Sequence, residues 1–194
     1  MPRISLVNAA QLAVKSCLRP GGIAVDATVG NGYDTLFLAE TVGPTGHVFG
    51  FDVQRQALVS SYQKLLAHDL QRRVTLHLAS HADLLEVLPK SVMGGVAAVM
   101  FNLGYLPGGD KAVITRADST LKAMAAACRL LAKSGIITVL AYPGHAGGDA
   151  ETERSAEWMR SLDPSQFETE LVLSQFDKPG APRLFILRKW GDLL

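Results

Sequence analysis

No stretch of the chain approaches the roughly 18 consecutive apolar residues that a membrane-spanning helix needs, although 48% of its 194 residues are hydrophobic. The apolar content is broken into short runs, the pattern of a buried core rather than an anchor. Excess charge of either sign is also missing: 19 Lys and Arg against 18 Asp and Glu leave a formal net charge of +1. Any site for a polyanion must therefore be a local patch. Cysteine is scarce. Cys17 and Cys128 both fall inside apolar helical patterns, with no CxxC spacing and no histidine-rich context, which argues for reduced core thiols against a disulfide framework or a zinc site. Met1-Pro2-Arg3 leads into no continuous apolar signal segment, so the expectation is a cytoplasmic protein, neither exported nor anchored. Repeats, low-complexity tracts and linkers are lacking too. A chain of this length is expected to form one domain over residues 1–194, with residues 1–20 as an N-terminal helix packed on it.

What is present is alternation. Leu6, Ala10, Ala13, Val14 and Cys17 mark one helical face that Pro20-Gly21-Gly22 ends, and Ile23 to Thr28 reads as a buried strand. Gly30-Asn31-Gly32 turns the chain into a helix over Asp34 to Val42. Gly46 to Val53 predicts a second strand, and Leu58, Tyr62, Leu65 and Leu66 predict the inward face of the next helix. Strands over Val74 to Leu78, Val96 to Phe101 and Ile136 to Tyr142 follow. A short helix from Ala82 to Leu88 separates the first two, and a helix with Leu121, Met124, Ala125, Cys128 and Leu131 inward precedes Ser134-Gly135 and the third. Such alternation predicts a mostly parallel sheet covered on both faces. After a helix around Glu153 to Leu162, two strands, Phe167 to Phe176 and Arg183 to Trp190, leave no room for a crossover helix and must pair antiparallel. The fold expected is a doubly wound, mostly parallel α/β sheet of seven strands ending in a C-terminal antiparallel hairpin. That is the Rossmann-like arrangement of class I methyltransferases, whereas nicotinamide-binding sheets continue with parallel crossovers.

Sheets of this kind bind ligands beyond the carboxyl ends of their strands, where the winding reverses. The residues expected there are Asp26, Thr28, Gly30, Asn31, Gly32, Asp34 and Thr35, followed by Asp52 and Gln54 at the end of the second strand. Glycine admits a ligand close to the backbone, Asp26 can pair with the cationic end of a donor, and Asp52 can accept from ribose hydroxyls. Thr35 stands where a pyrophosphate cradle has its third glycine, and the acid ahead of the turn favours a sulfonium nucleoside. The plainer alternative is that these acids cap helices and the glycines only turn the chain. His81, just past the third strand, is a candidate for the adenine end.

The fourth strand runs into Asn102-Leu103-Gly104-Tyr105, an N-x-x-Y shape that suits amine methylation. An amine attacks in line only when its lone pair is free, so an Asn oxygen or a backbone carbonyl must orient its hydrogens, with Tyr105 as a wall. A mere surface turn is the alternative. Methylation at pyrimidine C5 needs a cysteine nucleophile, and neither cysteine lies at a strand's carboxyl end, which favours an amine or other heteroatom. Tyr142 and His145 follow the fifth strand on the same rim. His145 either takes a proton from the amine or only hydrogen-bonds the substrate.

Three segments together carry a resemblance: Asp26-Ala27-Thr28-x-Gly30-Asn31-Gly32-x-Asp34-Thr35-Leu36-Phe37-Leu38-Ala39, then Gly50-Phe51-Asp52-x-Gln54, then Phe101-Asn102-Leu103-Gly104-Tyr105-Leu106-Pro107-x-Gly109-Asp110-Lys111. Over nearly its whole length the chain resembles the family first labelled putative rRNA methylase, whose characterised members are tRNA 5-aminomethyl-2-thiouridine methyltransferases. The resemblance implies S-adenosylmethionine as donor and S-adenosylhomocysteine as product. It also implies methylation of the aminomethyl nitrogen at the wobble uridine, and a homodimer. An unpaired wobble base can be splayed into a pocket while cations meet the phosphates of the anticodon stem-loop. Lys111, Arg116, Lys178 and Arg183 are the candidate cations, although any single one of them reads more readily as ordinary surface charge. Methylation of another RNA base or a small amine, and donor binding without turnover, remain open alternatives.

Overall fold

Short strands, apolar at the centre of the sheet and mostly exposed at its Phe167–Leu173 edge, build the middle of the molecule. In the computed structural model, which describes residues 5–106, 108, 114–144, 147–174 and 180–190, they form a seven-stranded sheet. The strands are β1 (Ile23–Asp26), β2 (His47–Asp52), β3 (Val74–Leu78), β4 (Val96–Asn102), β5 (Leu131–Ala141), β6 (Phe167–Leu173) and β7 (Arg183–Lys189), in the order β3-β2-β1-β4-β5-β7-β6. The first five are parallel neighbours, β7 runs antiparallel to β5, and β6 antiparallel to β7. The expected terminal hairpin is thus present, with its second strand inserted next to β5.

Both faces are buried, which is why the central strands show no polar alternation. On one face α1 (Leu6–Cys17), α2 (Tyr33–Thr41) and α3 (Arg55–Ala67) cover Ala24, Val48, Met100 and Ile136. On the other, α4 (Leu84–Val87), α5 (Ala117–Leu130) and α6 (Gly148–Arg160) cover Val25, Phe51, Val99, Phe101 and Ile137. Ser5 caps α1 by accepting from the Asn8 amide at 3.1 Å, and Leu18 closes its far end. Among the described residues no helix is long and apolar enough to cross a membrane.

Three local expectations shift. The inward face of α3 is Ala57, Ser61 and Leu65, while Tyr62 and Leu66 are exposed; small residues at 57 and 61 let this helix lie against the glycine turn. In α5 the buried set is Thr120, Ala123, Met124, Ala126, Ala127 and Leu130, with Ala125 outward. Leu131 already pairs with Val96, so β5 starts there and continues through a bulge at Ser134, whose φ is 60°. Both cysteines are free thiols, and burial pushes that of Cys128 up to about 12.

Candidate active site

The winding direction reverses between β1 and β4, and beyond their carboxyl ends lies a cleft of about 580 Å³. Its floor is built by carboxylates gripping backbone amides. Asp52, at the end of β2, accepts from the Gly30 amide at 2.9 Å and the Gln54 amide at 2.8 Å, tying the glycine turn to the neighbouring strand. The Asn102 amide donates to the Thr28 hydroxyl at 2.7 Å, tying the tip of β4 to that of β1. Gly32 lies at φ +76°, and a Cβ there would stand 2.6 Å from the Ser61 hydroxyl and 2.8 Å from the Ser61 Cα. Only glycine fits between the turn and α3.

Asp26 occupies a different place from the one expected. It is 1% exposed and lies beneath the turn, accepting from the Thr28 amide at 3.1 Å and the Thr35 hydroxyl at 2.5 Å. Burial, then the charge of Asp34, raises its carboxyl to about 7, against the pull of its two hydrogen bonds. Neither Asp26, Thr35 nor Gly32 lines the cleft. Among the described residues, the carboxylates that do are Asp34 and Asp52. Asp34 takes a 3.1 Å hydrogen bond from the Gln11 amide of α1; burial raises its pKa, and the amides of Gln11 and Asn102 hold it back.

His81 is 8% exposed, its ring edge-on to Phe101 at 5.9 Å. Nδ1 faces the Ala27 carbonyl at 3.3 Å; since a carbonyl only accepts, Nδ1 carries the proton. Burial lowers the ring's pKa, which favours the neutral imidazole, and with Nδ1 donating Nε2 is a buried acceptor without a partner among the described residues.

The opposite wall is the Asn102–Tyr105 segment. Its course is set by the Leu103 amide on the Leu140 carbonyl (2.8 Å), the Gly104 amide on the Thr115 hydroxyl (2.8 Å), the Thr115 amide on the Gly104 carbonyl (2.9 Å) and a bridge between Tyr105 and Ile114. Tyr105 is 42% exposed at the rim, and Tyr142 lines the cleft from just past β5, its hydroxyl pKa raised by burial and by Asp34. Thr28, Gly30, Asn31, Gln54, Asn102 and Gly104 also line it. Arg116 and Arg183 stand outside: Arg116 precedes α5 as its capping residue, and Arg183 lies 3.9 Å from Glu153. Lys111, His145 and Lys178 lie outside the described residues.

Sequence reasoning passed over Gln11, Tyr33 and Thr115. Tyr33 lines the mouth with the Lys64 ammonium 4.0 Å from its ring centre. Nothing in spacing marks Gln11 or Thr115, whose partners are 23 and 11 residues away. Tyr33 lies inside the quoted glycine-turn motif and was open to notice.

Known proteins share this architecture. The family model described as "Putative rRNA methylase" matches residues 48–189. A chloroplastic tRNA (mnm5s2U34)-methyltransferase of Arabidopsis thaliana is 36% identical over 159 residues, 78% of this chain and 57% of that protein. A ribosomal RNA small subunit methyltransferase H of Syntrophus aciditrophicus is 36% identical over 86 residues, 44% of this chain and 27% of that one. The chain thus spans less than two thirds of the length of either. Among solved structures, one described as a putative rRNA methylase from Clostridium thermocellum superposes with a TM-score of 0.90 at 36% identity, covering 97% of this chain and 98% of that one. A Streptococcus mutans structure, described as a putative methyltransferase in complex with SAH, gives 0.84 at 29% identity, covering 97% and 99%. On this match across the sheet and its site-bearing strands, the chain belongs to the family described as putative rRNA methylases, on the Rossmann-like fold of S-adenosylmethionine-dependent methyltransferases.

Proposed function

We propose that the chain methylates the aminomethyl nitrogen of 5-aminomethyl-2-thiouridine at the tRNA wobble position, with S-adenosylmethionine as donor, giving 5-methylaminomethyl-2-thiouridine. The observation that carries this reading is the charge of the cleft. Two carboxylates, Asp34 and Asp52, line it, and among the described lining residues there is no Lys or Arg. Such a site favours cationic ligands over a pyrophosphate. The orphaned Nε2 of His81 also fits the donor, as a lone pair suited to the exocyclic amine of adenine. Asp52 would accept from ribose hydroxyls while keeping its bonds to Gly30 and Gln54, and Asp34 would hold the donor's α-ammonium group.

When bound, S-adenosylmethionine supplies a methyl group on a sulfonium centre. The chain's part is to present the nucleophile. A primary alkylammonium titrates near 10.4, and only its neutral form has a lone pair to offer. The Asn102 side chain stands at the cleft edge to accept from the amine hydrogens, and Tyr105 walls the approach. The substrate assignment leans on the Arabidopsis relative; the anticodon stem-loop as partner, a cytoplasmic location and a homodimer belong to the same proposal. A second reading, methylation of ribosomal RNA, is favoured by the likeness to the small subunit methyltransferase.

The test uses tRNA from cells lacking the final methylation, incubated with protein and donor, digested, and resolved by mass spectrometry. Conversion of the aminomethyl nucleoside to its methylated form is expected; modification of ribosomal RNA alone would select the second reading. In the same assay Asn102→Ala should lower turnover about tenfold or more and weaken the donor far less, because it removes the contact to the acceptor but only one of the two amide bonds to Asp34. Equal loss of both would assign Asn102 a structural role.

A further inference from the structure

Glu151 sits in the first turn of α6, 2% exposed, a carboxylate placed where an apolar residue would cost less. Its two oxygens are each engaged. Oε2 accepts from the Thr115 hydroxyl at 2.7 Å and Oε1 from the Thr120 hydroxyl at 2.6 Å, the short contacts of charge-assisted bonds. The Thr115 hydroxyl has one proton, and Glu151 takes it. What remain are the lone pairs, turned away from Glu151, and the Gly104 amide donates to one of them at 2.8 Å. A relay therefore runs from α6 through Thr115 to the peptide between Leu103 and Gly104. That peptide belongs to the wall that holds Asn102 at one end and Tyr105 at the other.

The same carboxylate joins the two rim segments. Thr115 stands where the chain returns from the Tyr105–Ile114 bridge, Thr120 is in the first turns of α5, and α6 begins just after the segment that carries Tyr142 out of β5. With both hydroxyls committed to one anion, neither rim segment can move against the other without stranding a buried charge. An amide in its place would turn an NH2 group, a donor, towards one of the two hydroxyls, because only one of its two head atoms accepts.

We propose that Glu151 is a positioning residue for methyl transfer, which fixes the Asn102–Tyr105 wall through the Thr115 hydroxyl and the Gly104 amide. The proposal rests on reading that wall as the acceptor side of the cleft. It separates Glu151 from the donor-side groups Asp34, Asp52 and His81, so its loss should act on turnover and leave donor affinity alone.

Two readouts test it, one independent of any substrate. Hydrogen exchange of the Gly104 amide, followed by NMR on the full chain, should quicken about tenfold in Glu151→Gln relative to the β1 amides, the effect of losing one oriented bond. Glu157→Gln, exposed on the same helix, should leave it unchanged. Thr115→Val, which keeps the side-chain volume, removes the acceptor itself and sets the rate expected of an unbonded Gly104 amide, with Thr115→Ser restoring protection; Glu151→Asp, which keeps the charge and shortens the reach, carries the test if Glu151→Gln fails to fold. On the methyl acceptor, kcat should fall about tenfold or more in Glu151→Gln and Thr115→Val with the donor Kd within about twofold of wild type. Unchanged Gly104 exchange, or donor affinity falling in step with kcat, would overturn the proposal. If the wild-type protein leaves aminomethyl-thiouridine tRNA unmodified, the substrate reading falls, and the exchange measurement still decides the role of Glu151.

Discussion

Asp26 shows how far one residue's role can depart from its position in a motif. An acid ahead of a glycine turn reads as a ligand for a cationic donor, and the structure instead spends both of its oxygens on Thr28 and Thr35 under the turn. Residue spacing reveals the acid but not which donors will reach it. The outcome has a measurable sign. A carboxyl raised from 3.8 to about 7 by burial is easier to keep protonated in the folded chain than in the unfolded one. Its contribution to stability is complete below pH 3.8 and is lost as pH rises through about 7, with a slope of at most about 1.4 kcal/mol per pH unit. Urea unfolding of wild type and Asp26→Asn between pH 4 and 8 should show this slope in the difference between them, with the variant gaining relative stability towards pH 8. A difference that does not change across that range would mean that Asp26 ionises normally. A bound sulfonium donor would favour the ionised form, so its affinity should also strengthen as pH rises towards 7 in wild type and less so in the variant.

At the scale of elements, the turn and α3 are one packing unit. Apolar spacing located α3 but misjudged its face, since the pattern weighs Tyr62 and Leu66 as buried, whereas a close approach to Gly32 selects Ala57 and Ser61. Burial of a serine hydroxyl is not a signal that hydrophobic periodicity can carry. The same limitation hides Glu151: the expected helix runs from around Glu153, while in the fold it starts at Gly148. The strands were more legible, because central strands buried on both faces are uninterrupted apolar runs. The packing unit predicts that Gly32→Ala costs about 2–5 kcal/mol, the sum of a left-handed backbone and a clash with Ser61. Adding Ser61→Gly should relieve only the side-chain part of the clash, since the Cα at position 61 stays 2.8 Å from the new Cβ, and urea titration of the double-mutant cycle measures this partial coupling. Additive losses would show that the turn and α3 do not touch as described.

For the whole molecule, the order of strands puts the β1 turn, the end of β2, His81 and the end of β4 around one cleft whose described lining carries two acids and no Lys or Arg. This much follows from strand and helix alternation, since a doubly wound sheet opens its crevice where the winding reverses. The sign of the cleft's charge does not follow from a net charge of +1; it depends on which acids face inward. That charge is the central claim, and calorimetry tests it most directly. Titration with S-adenosylmethionine should give saturable binding, weakened about tenfold in His81→Phe by loss of one acceptor, while NADH gives none. Saturable NADH binding with no heat from S-adenosylmethionine would contradict the account.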